Sequence, residues 1–478
     1  MGRLIVFGKK YWPLFLIFLI VLGLYFPVFS LYFSQDDFFH LKMSQAESIE
    51  DFLGFFSPKN PYGYSFYRPL TTQVYLFGIR FLFGLQPLFF HLVAFVFFLA
   101  NLLLVFKIVE KTVRDRNLGF LAAFLYAINA SNLGSLAYIS VFEEIGMAFF
   151  FFLSFWFYLQ KKKWAFLTFI LALLSRETAI IFPLLLIFYE WFLGKKEWQK
   201  TLPFWFILFL YGLLRIGTGL PNVSVYQPIF SLNKIANSFF WYFLWGLGLP
   251  EMLVDFVGPG LKINPNLFNW YRAEMTIILG AFLLFLVLAM VAISKLPKKN
   301  YKKEIFLVVW FLVTLLPVIF WPWHKFSYYL TVPLLGLVGF FVLLFKRLPK
   351  VLLRSNKLCL FSLAILAMVI ISLTTIFLSW KTYWVVNRAK ISQNLVSDLK
   401  NKYSQLPKGA SLYFQNDPDY PKIFGFGNSS TQAYYALSGE NGPQVIYNDL
   451  TLKVYYEDIK KPSEDIDEIY SFMAKISQ

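Results

Sequence analysis

Apolar residues run along this chain in long unbroken blocks, not at the two- or three-residue spacings of half-buried strands and surface helices. The blocks fall at roughly 11–31, 67–84, 88–107, 117–138, 141–160, 164–194, 202–218, 236–257, 273–294, 305–322, 326–346 and 357–380. Most approach the roughly 20 residues that a helix needs to cross the hydrocarbon of a bilayer. The block at 164–194 is too long for one ordinary span and short for two, and "LLSRETAIIFP" interrupts it. The pattern predicts a mainly α, polytopic membrane protein with about 11–13 transmembrane helices.

The opening stretch "MGRLIVFGKKYWPLFLIFLIVLGLYFPVFSL" sets basic residues before an apolar run and shows no small-residue cleavage site. This predicts an uncleaved first helix with a cytoplasmic N-terminus. Residues 32–66 then form an outside loop. Within it, "FFHLKMSQAESIEDFLGFFSP" has apolar residues at helical spacing, suited to a segment lying in the interface, and "SPKNPYGYSFYRP" reads as turns and extended chain. After Trp380 the composition changes: residues 381–478 hold much of the acid and no spanning run. There "LPKGASLYFQNDPDY" predicts turn, short strand and turn, and "GPQVIYNDLTLKVYYED" one or two more strands. The expected division is a membrane domain at 1–380 and a small extracytoplasmic α/β domain at 381–478.

Composition sharpens this reading. Of the 478 residues 58% are hydrophobic and only 15% charged, well below the roughly 25% charge of a soluble domain. The net charge of +17 sits in short loops between apolar blocks, so it is no sign of nucleic-acid binding. It points to cytoplasmic loops and contact with membrane lipids. Six basic clusters, at 9–10, 107–116, 161–163, 195–200, 295–303 and 346–350, all reach the cytoplasm only if 67–84 and 236–257 do not fully cross. If every block crosses, "KKK" at 161–163 lies outside. Both layouts put the N-terminus inside and residues 32–66 and the C-terminus outside. The single cysteine, Cys359, excludes an intramolecular disulfide and a thiolate metal cluster. No Walker loop, G-x-G-x-x-G or H-E-x-x-H pattern is present.

The candidate chemistry lies where polar residues interrupt the blocks. Asp36 and Asp37 follow the first block, flanked by Phe33, Phe38 and Phe39. A carboxylate there can act as a general base or hold a divalent cation. Two adjacent carboxylates cannot aim at one atom without a turn, so one would react while the other orients it; plain solvation of a helix end is the bland alternative. In "FYRPLTTQ" Arg68 precedes Pro69, a good first helical residue, and a guanidinium there can grip a phosphate bidentately or snorkel to headgroups. "LLSRETAIIFP" places Ser175, Arg176 and Glu177 at membrane depth, where charges face a cavity or a partner. "NASNLGSLAYISVFEEIG" offers Glu143 and Glu144, either of which can line a cavity or cap the next helix, with capping favoured for Glu144. "FWPWHKFSYYLTVP" brings His324 and Lys325, either able to bind phosphate, among interfacial aromatic anchors. Tyr67 and His40 are further cavity-lining candidates. A metal requirement is left open, and no cofactor other than a divalent cation suggests itself.

Taken in order, the acidic pair after the first span, "YRPL" at the next block, "PLFFHLVAFVFFLANLLL", the acidic break and "LLSRETAIIFPLLLIFYE" resemble the GT-C superfamily of polyprenyl-phosphate-dependent membrane glycosyltransferases. The similarity is to the branch holding protein O-mannosyltransferases and lipid A aminoarabinose transferases, and spans roughly residues 10–380. The "SRET" segment carries arginine where that family usually has lysine. The resemblance implies a GT-C-like membrane domain, a polyprenyl-phosphate sugar donor, a lipid, glycan or protein acceptor, and a bacterial-type inner or plasma membrane. It implies inverting transfer with Asp36 as base, Asp37 orienting it or binding acceptor, and Arg68 and Arg176, assisted by His324 or Lys325, steadying the donor phosphate. Two other functions fit the same blocks: a lipid or glycan transporter or flippase, which would favour repeated halves, and a non-catalytic scaffold of the same fold.

Overall fold

The computed structural model describes residues 2–59, 66–216, 224–294, 301–346, 357–421, 427–463 and 468–476. The expected turns at 60–65 and the basic residues at 295–300 and 347–350 lie outside the described residues. The apolar blocks form helices because a backbone in hydrocarbon finds no water and must close its hydrogen bonds within the segment. The protein is mainly helical. Five described helical segments are long and apolar enough to cross a membrane: Tyr11–Ser30, Pro87–Val113, Ile139–Leu159, Asn266–Ser294 and Leu360–Lys402. Five is fewer than the 11–13 expected from the blocks, because polar breaks cut several blocks short. The block at 117–138 stops its helix at Ala127, where Asn129 accepts from the Ser131 amide (3.0 Å) and donates to the Gly246 carbonyl (2.8 Å). The block at 164–194 divides into helices Trp164–Ser175 and Phe182–Phe192, joined through Arg176 and a 3₁₀ turn at Glu177–Ile181.

The two blocks whose crossing decided the topology are both interrupted. Residues 69–83 form a π-helical turn, Pro69–Val74, running into the helix Tyr75–Phe83. Residues 232–263 form the helix Leu232–Gly246, one short turn at Leu253–Phe256 and a two-residue antiparallel hairpin. The core is built by antiparallel neighbours: Phe142–Leu159 on Trp164–Ser175, Lys302–Leu315 on Pro333–Lys346, and Pro87–Val113 on Arg116–Ala127. At its centre Trp310 is fully buried against Phe155 and Phe306, and its indole N–H donates to the Val332 carbonyl at 3.0 Å. Gly336 lets two helices touch backbone to backbone, since a Cβ there would lie 2.6 Å from the Leu307 carbonyl oxygen. Small residues at such crossings are how apolar helices pack closely.

Polar groups separate to the two ends of the helices. At one end, Lys303 donates to the Val113 carbonyl (2.7 Å), Lys346 pairs with Asp115, and Arg114, Lys161–Lys163, Lys195 and Lys200 line one pocket. Lys107 reaches Tyr11 of the first helix at 2.9 Å. The acids and arginines singled out in the sequence lie at the other end.

The first loop folds as two short helices, Asp36–Met43 and Ile49–Gly54. The second starts with a capping box in which Ser48 and Asp51 satisfy each other's amides. Beyond the helix Trp384–Lys402, a three-stranded parallel sheet has the spatial order Lys453–Tyr456, Ser411–Asn416, Ile469–Ala474. The strand expected in "LPKGASLYFQNDPDY" is Ser411–Asn416. In the next segment only Lys453–Tyr456 is a strand; "NGPQVIY" is a helix. Parallel strands need a crossover, and Pro443 suits a first helical turn. This part of the chain packs on the first loop: the Gln35 amide donates to the Ala436 carbonyl (2.8 Å), Arg388 holds the Gln35 side chain, and Lys42 meets Glu440 at 3.4 Å.

Candidate functional site

The acidic pair opens the helix Asp36–Met43, where negative side chains in the first turn complement the helix dipole. The residue before it, Gln35, has φ of +48°, a conformation that costs a non-glycine residue. It is held there by Ala436 and Arg388. The turn leaves one carboxylate exposed and the other buried. Asp37 is buried, and its oxygens accept from the Ser34 amide (2.8 Å), the Ser140 amide (2.7 Å) and the Ser140 hydroxyl (2.6 Å). Burial pushes its carboxyl up to about 7, against the pull of those donors. Beneath it Phe33 and Phe38 are fully buried, Phe33 stacking edge-on against Phe90 at 5.3 Å. Asp37 is therefore a positioning residue, tying the first loop to the segment before Glu143. Asp36 is exposed, and its amide donates to the Tyr138 hydroxyl at 3.1 Å. His91 sits between both segments, its ring nitrogens 3.1 Å from the Leu136 carbonyl and 3.2 Å from that of Leu31, and its one N–H donates to either of them.

Below the pair lies a buried ionic cluster. Pro69 starts its helical turn and sets Arg68 at the entrance. Arg68 donates through Nη1 to Glu143 (2.5 Å) and through Nε to Glu177 (2.7 Å), with Nη2 also on Glu177. Arg176 pairs with the other oxygen of Glu143, lies 3.2 Å from Glu144, and donates to the Tyr329 hydroxyl at 3.3 Å. Thr71 secures the turn by donating to the Ser175 carbonyl at 2.6 Å. Two guanidiniums thus face three carboxylates, at depths where each charge needs a partner. From Tyr329 the network continues through His324 Nδ1 (2.9 Å) and His324 Nε2 to the Tyr226 hydroxyl (3.0 Å). Burial and the two nearby arginines push His324 down to about 3, so its ring is neutral and serves as a relay between two phenols.

The structure brings together Asp36, Asp37, His40, Arg68, Glu143, Arg176, Glu177 and His324, and sets two candidates aside. His40 feels the charges of Asp36, Glu143, Arg68 and Arg176, burial lowers its pKa, and its buried Nδ1 has no hydrogen-bond partner among the described residues. Lys325 instead donates to Asn237 at 2.7 Å and answers to Lys234, not to the cluster. Tyr67 does not line a cavity by its hydroxyl, which donates to the Phe56 carbonyl at 2.9 Å and closes the first loop. Both guanidiniums expected to steady a phosphate are engaged by glutamates, because a buried cation is stable only when paired. Sequence reasoning missed Glu144 as a cluster member, and missed Tyr138, Ser140 and Arg388 altogether. The adjacency of Glu143 and Glu144 in an otherwise apolar helix was the available signal for the first; nothing local marks the other three.

An apolar groove of about 390 Å³ is lined by chain neighbours of this cluster and by none of its charged side chains. Leu70, Thr71, Tyr75, Phe97, Phe142 and Gly146 are among its lining residues. Among the described residues no group of three or more His, Cys, Asp or Glu side chains is placed to hold a metal ion. No protein-family model matches the chain, and no curated protein sequence matches it significantly.

Proposed function

We propose that the protein is an integral-membrane glycosyltransferase that moves a sugar from a polyprenyl-phosphate donor to an extracytoplasmic acceptor hydroxyl with inversion. The observation that carries this reading is an exposed carboxylate, Asp36, near a buried arginine cluster, together with an apolar groove lined by chain neighbours of that cluster. The groove offers an isoprenoid chain an apolar bed, and the cluster offers the attached phosphate two guanidiniums. The phosphate must take the place of a carboxylate. Glu177 is the one to yield, because its side chain is 30% exposed while those of Glu143 and Glu144 are 7% and 3% exposed.

In the reaction Asp36 takes the proton of the acceptor hydroxyl as its oxygen attacks the anomeric carbon. The bond from that carbon to the phosphate oxygen breaks, and the electron pair leaves with the polyprenyl phosphate. Arg68 and Arg176 stabilise the charge on this leaving group. Asp37 holds the loop, and Arg388 on the C-terminal segment holds Gln35 next to the base. The separation of cations supports an orientation: the basic end faces the cytoplasm by the positive-inside rule, which puts Asp36 and the α/β segment outside. About 11 crossing segments, with 69–83 and 232–263 not crossing, fit that orientation.

Deletion of the gene in its host is expected to leave polyprenyl-phosphate sugar uncleaved in extracted lipids, and wild-type protein should restore turnover. Asp36→Asn, expressed to the same level and with an unchanged melting temperature, should cut turnover by about 10²–10⁴-fold. Full restoration by Asp36→Asn would sink the proposal. Purified protein should also gain thermal stability with polyprenyl phosphate, Asp36→Asn equally, and Arg68→Ala much less.

A further inference from the structure

The basic end of the bundle holds a second site. Helix Phe142–Leu159 runs from the ionic cluster to a pocket roughly 22 Å away along its axis. That pocket has a volume of about 540 Å³ and is lined by six cations, Arg114, Lys161, Lys162, Lys163, Lys195 and Lys200, against two carboxylates, Glu190 and Glu197. The two acids do not cancel the field. Glu197 is paired with Lys200. Glu190 is buried and accepts from the Tyr158 hydroxyl (2.7 Å) and from the amides of Lys195 (3.0 Å) and Glu197 (3.2 Å). It is spent on shaping the turn that presents Lys195. Arg114, Lys161, Lys163 and Lys195 are exposed and form no salt bridge among the described residues, although Lys195 and Lys161 feel the charge of Glu197. Arg114 and Lys161 hold left-handed turn positions, with φ of +59° and +57°, which glycine or asparagine would occupy at lower cost. The remaining walls are apolar, with Leu159, Phe166, Leu193 and Phe204 beside the charges.

We infer that this pocket binds the headgroup of an anionic phospholipid. The lysines and Arg114 hold its phosphate, and the apolar wall takes the first part of its acyl chains. Charge complementarity selects the occupant: a membrane supplies phosphate and alkyl chain joined in one molecule, and basic pockets between helix ends are suited to such headgroups. The site shares no residue with the ionic cluster and does not depend on the transfer reaction.

The test uses full-length protein in detergent and native mass spectrometry with phosphatidylglycerol, and with phosphatidylcholine as the zwitterionic comparison. Wild type should retain phosphatidylglycerol in preference to phosphatidylcholine, less so as salt is raised. The triple variant Lys161→Ala/Lys163→Ala/Lys195→Ala should weaken phosphatidylglycerol at least about tenfold and leave phosphatidylcholine unchanged. The zwitterionic lipid thereby reports on folding in the same sample. Glu197→Gln, which removes a competing carboxylate, should tighten phosphatidylglycerol. Equal retention of the two lipids by wild type, or an unchanged preference in the triple variant, would overturn the inference. So would displacement of the lipid by millimolar inorganic phosphate, because the site would then recognise the ion alone.

Discussion

Replacing Arg68 with methionine isolates what the ionic cluster does for the fold. The side chain is 5% exposed and engages two carboxylates, Glu143 and Glu177. Wild type sets three acids against two guanidiniums; Arg68→Met sets three against one. Removing one member of a buried ion pair costs about 3–5 kcal/mol, mostly the penalty of the charge left behind. Glu177 can turn toward water and Glu143 keeps Arg176, so the expected loss lies near the lower end, about 3 kcal/mol. The double variant Arg68→Met/Glu177→Met restores the original imbalance of one negative charge and should recover more than half of the loss. Unfolding by heat and by SDS in a mild detergent measures the three variants and wild type as a cycle. If the double variant is as unstable as the sum of the two single changes, the carboxylate and the guanidinium are not coupled, and the cluster does not support the fold.

Two further outcomes follow from the structure. Asp37 is buried and its carboxyl is raised to about 7 from an ordinary 3.8, so the fold favours its protonated form. That contribution is full below about 4 and lost as pH rises through about 7; the wild-type melting temperature should therefore fall across this window relative to Asp37→Asn, and parallel curves for the two would refute it. Gly336→Ala should destabilise by about 1–3 kcal/mol, because its Cβ would press on the backbone at Leu307 and Phe311. An unchanged melting temperature would show that the two helices can separate freely.

The amino-acid sequence by itself determined that this is a helical membrane protein and marked its breaks at "NASNLGSLAYISVFEEIG" and "LLSRETAIIFP". Burying a backbone in hydrocarbon forces it to bond to itself, and that requirement is written in block length and in the polar residues between blocks. Charged residues inside the blocks were equally legible: Arg68, Glu143, Arg176 and Glu177 stand out because charge at membrane depth must find a partner. Which partner it finds was not legible. Arg68 meets Glu143 75 residues away and Glu177 109 residues away, and Asp37 takes two of its three donors from Ser140, 103 residues on. Periodicity and composition are local properties, whereas these pairings depend on which helices pack side by side. The tertiary structure alone therefore decided that Asp37 is spent on the loop while Asp36 is exposed, that Lys325 turns to Asn237, and that both arginines are already paired. It also decided that cations from Arg114 to Lys200 share one pocket. For the arginines the reason is the burial of charge: once packing takes a cation from water, it is stable only beside an anion.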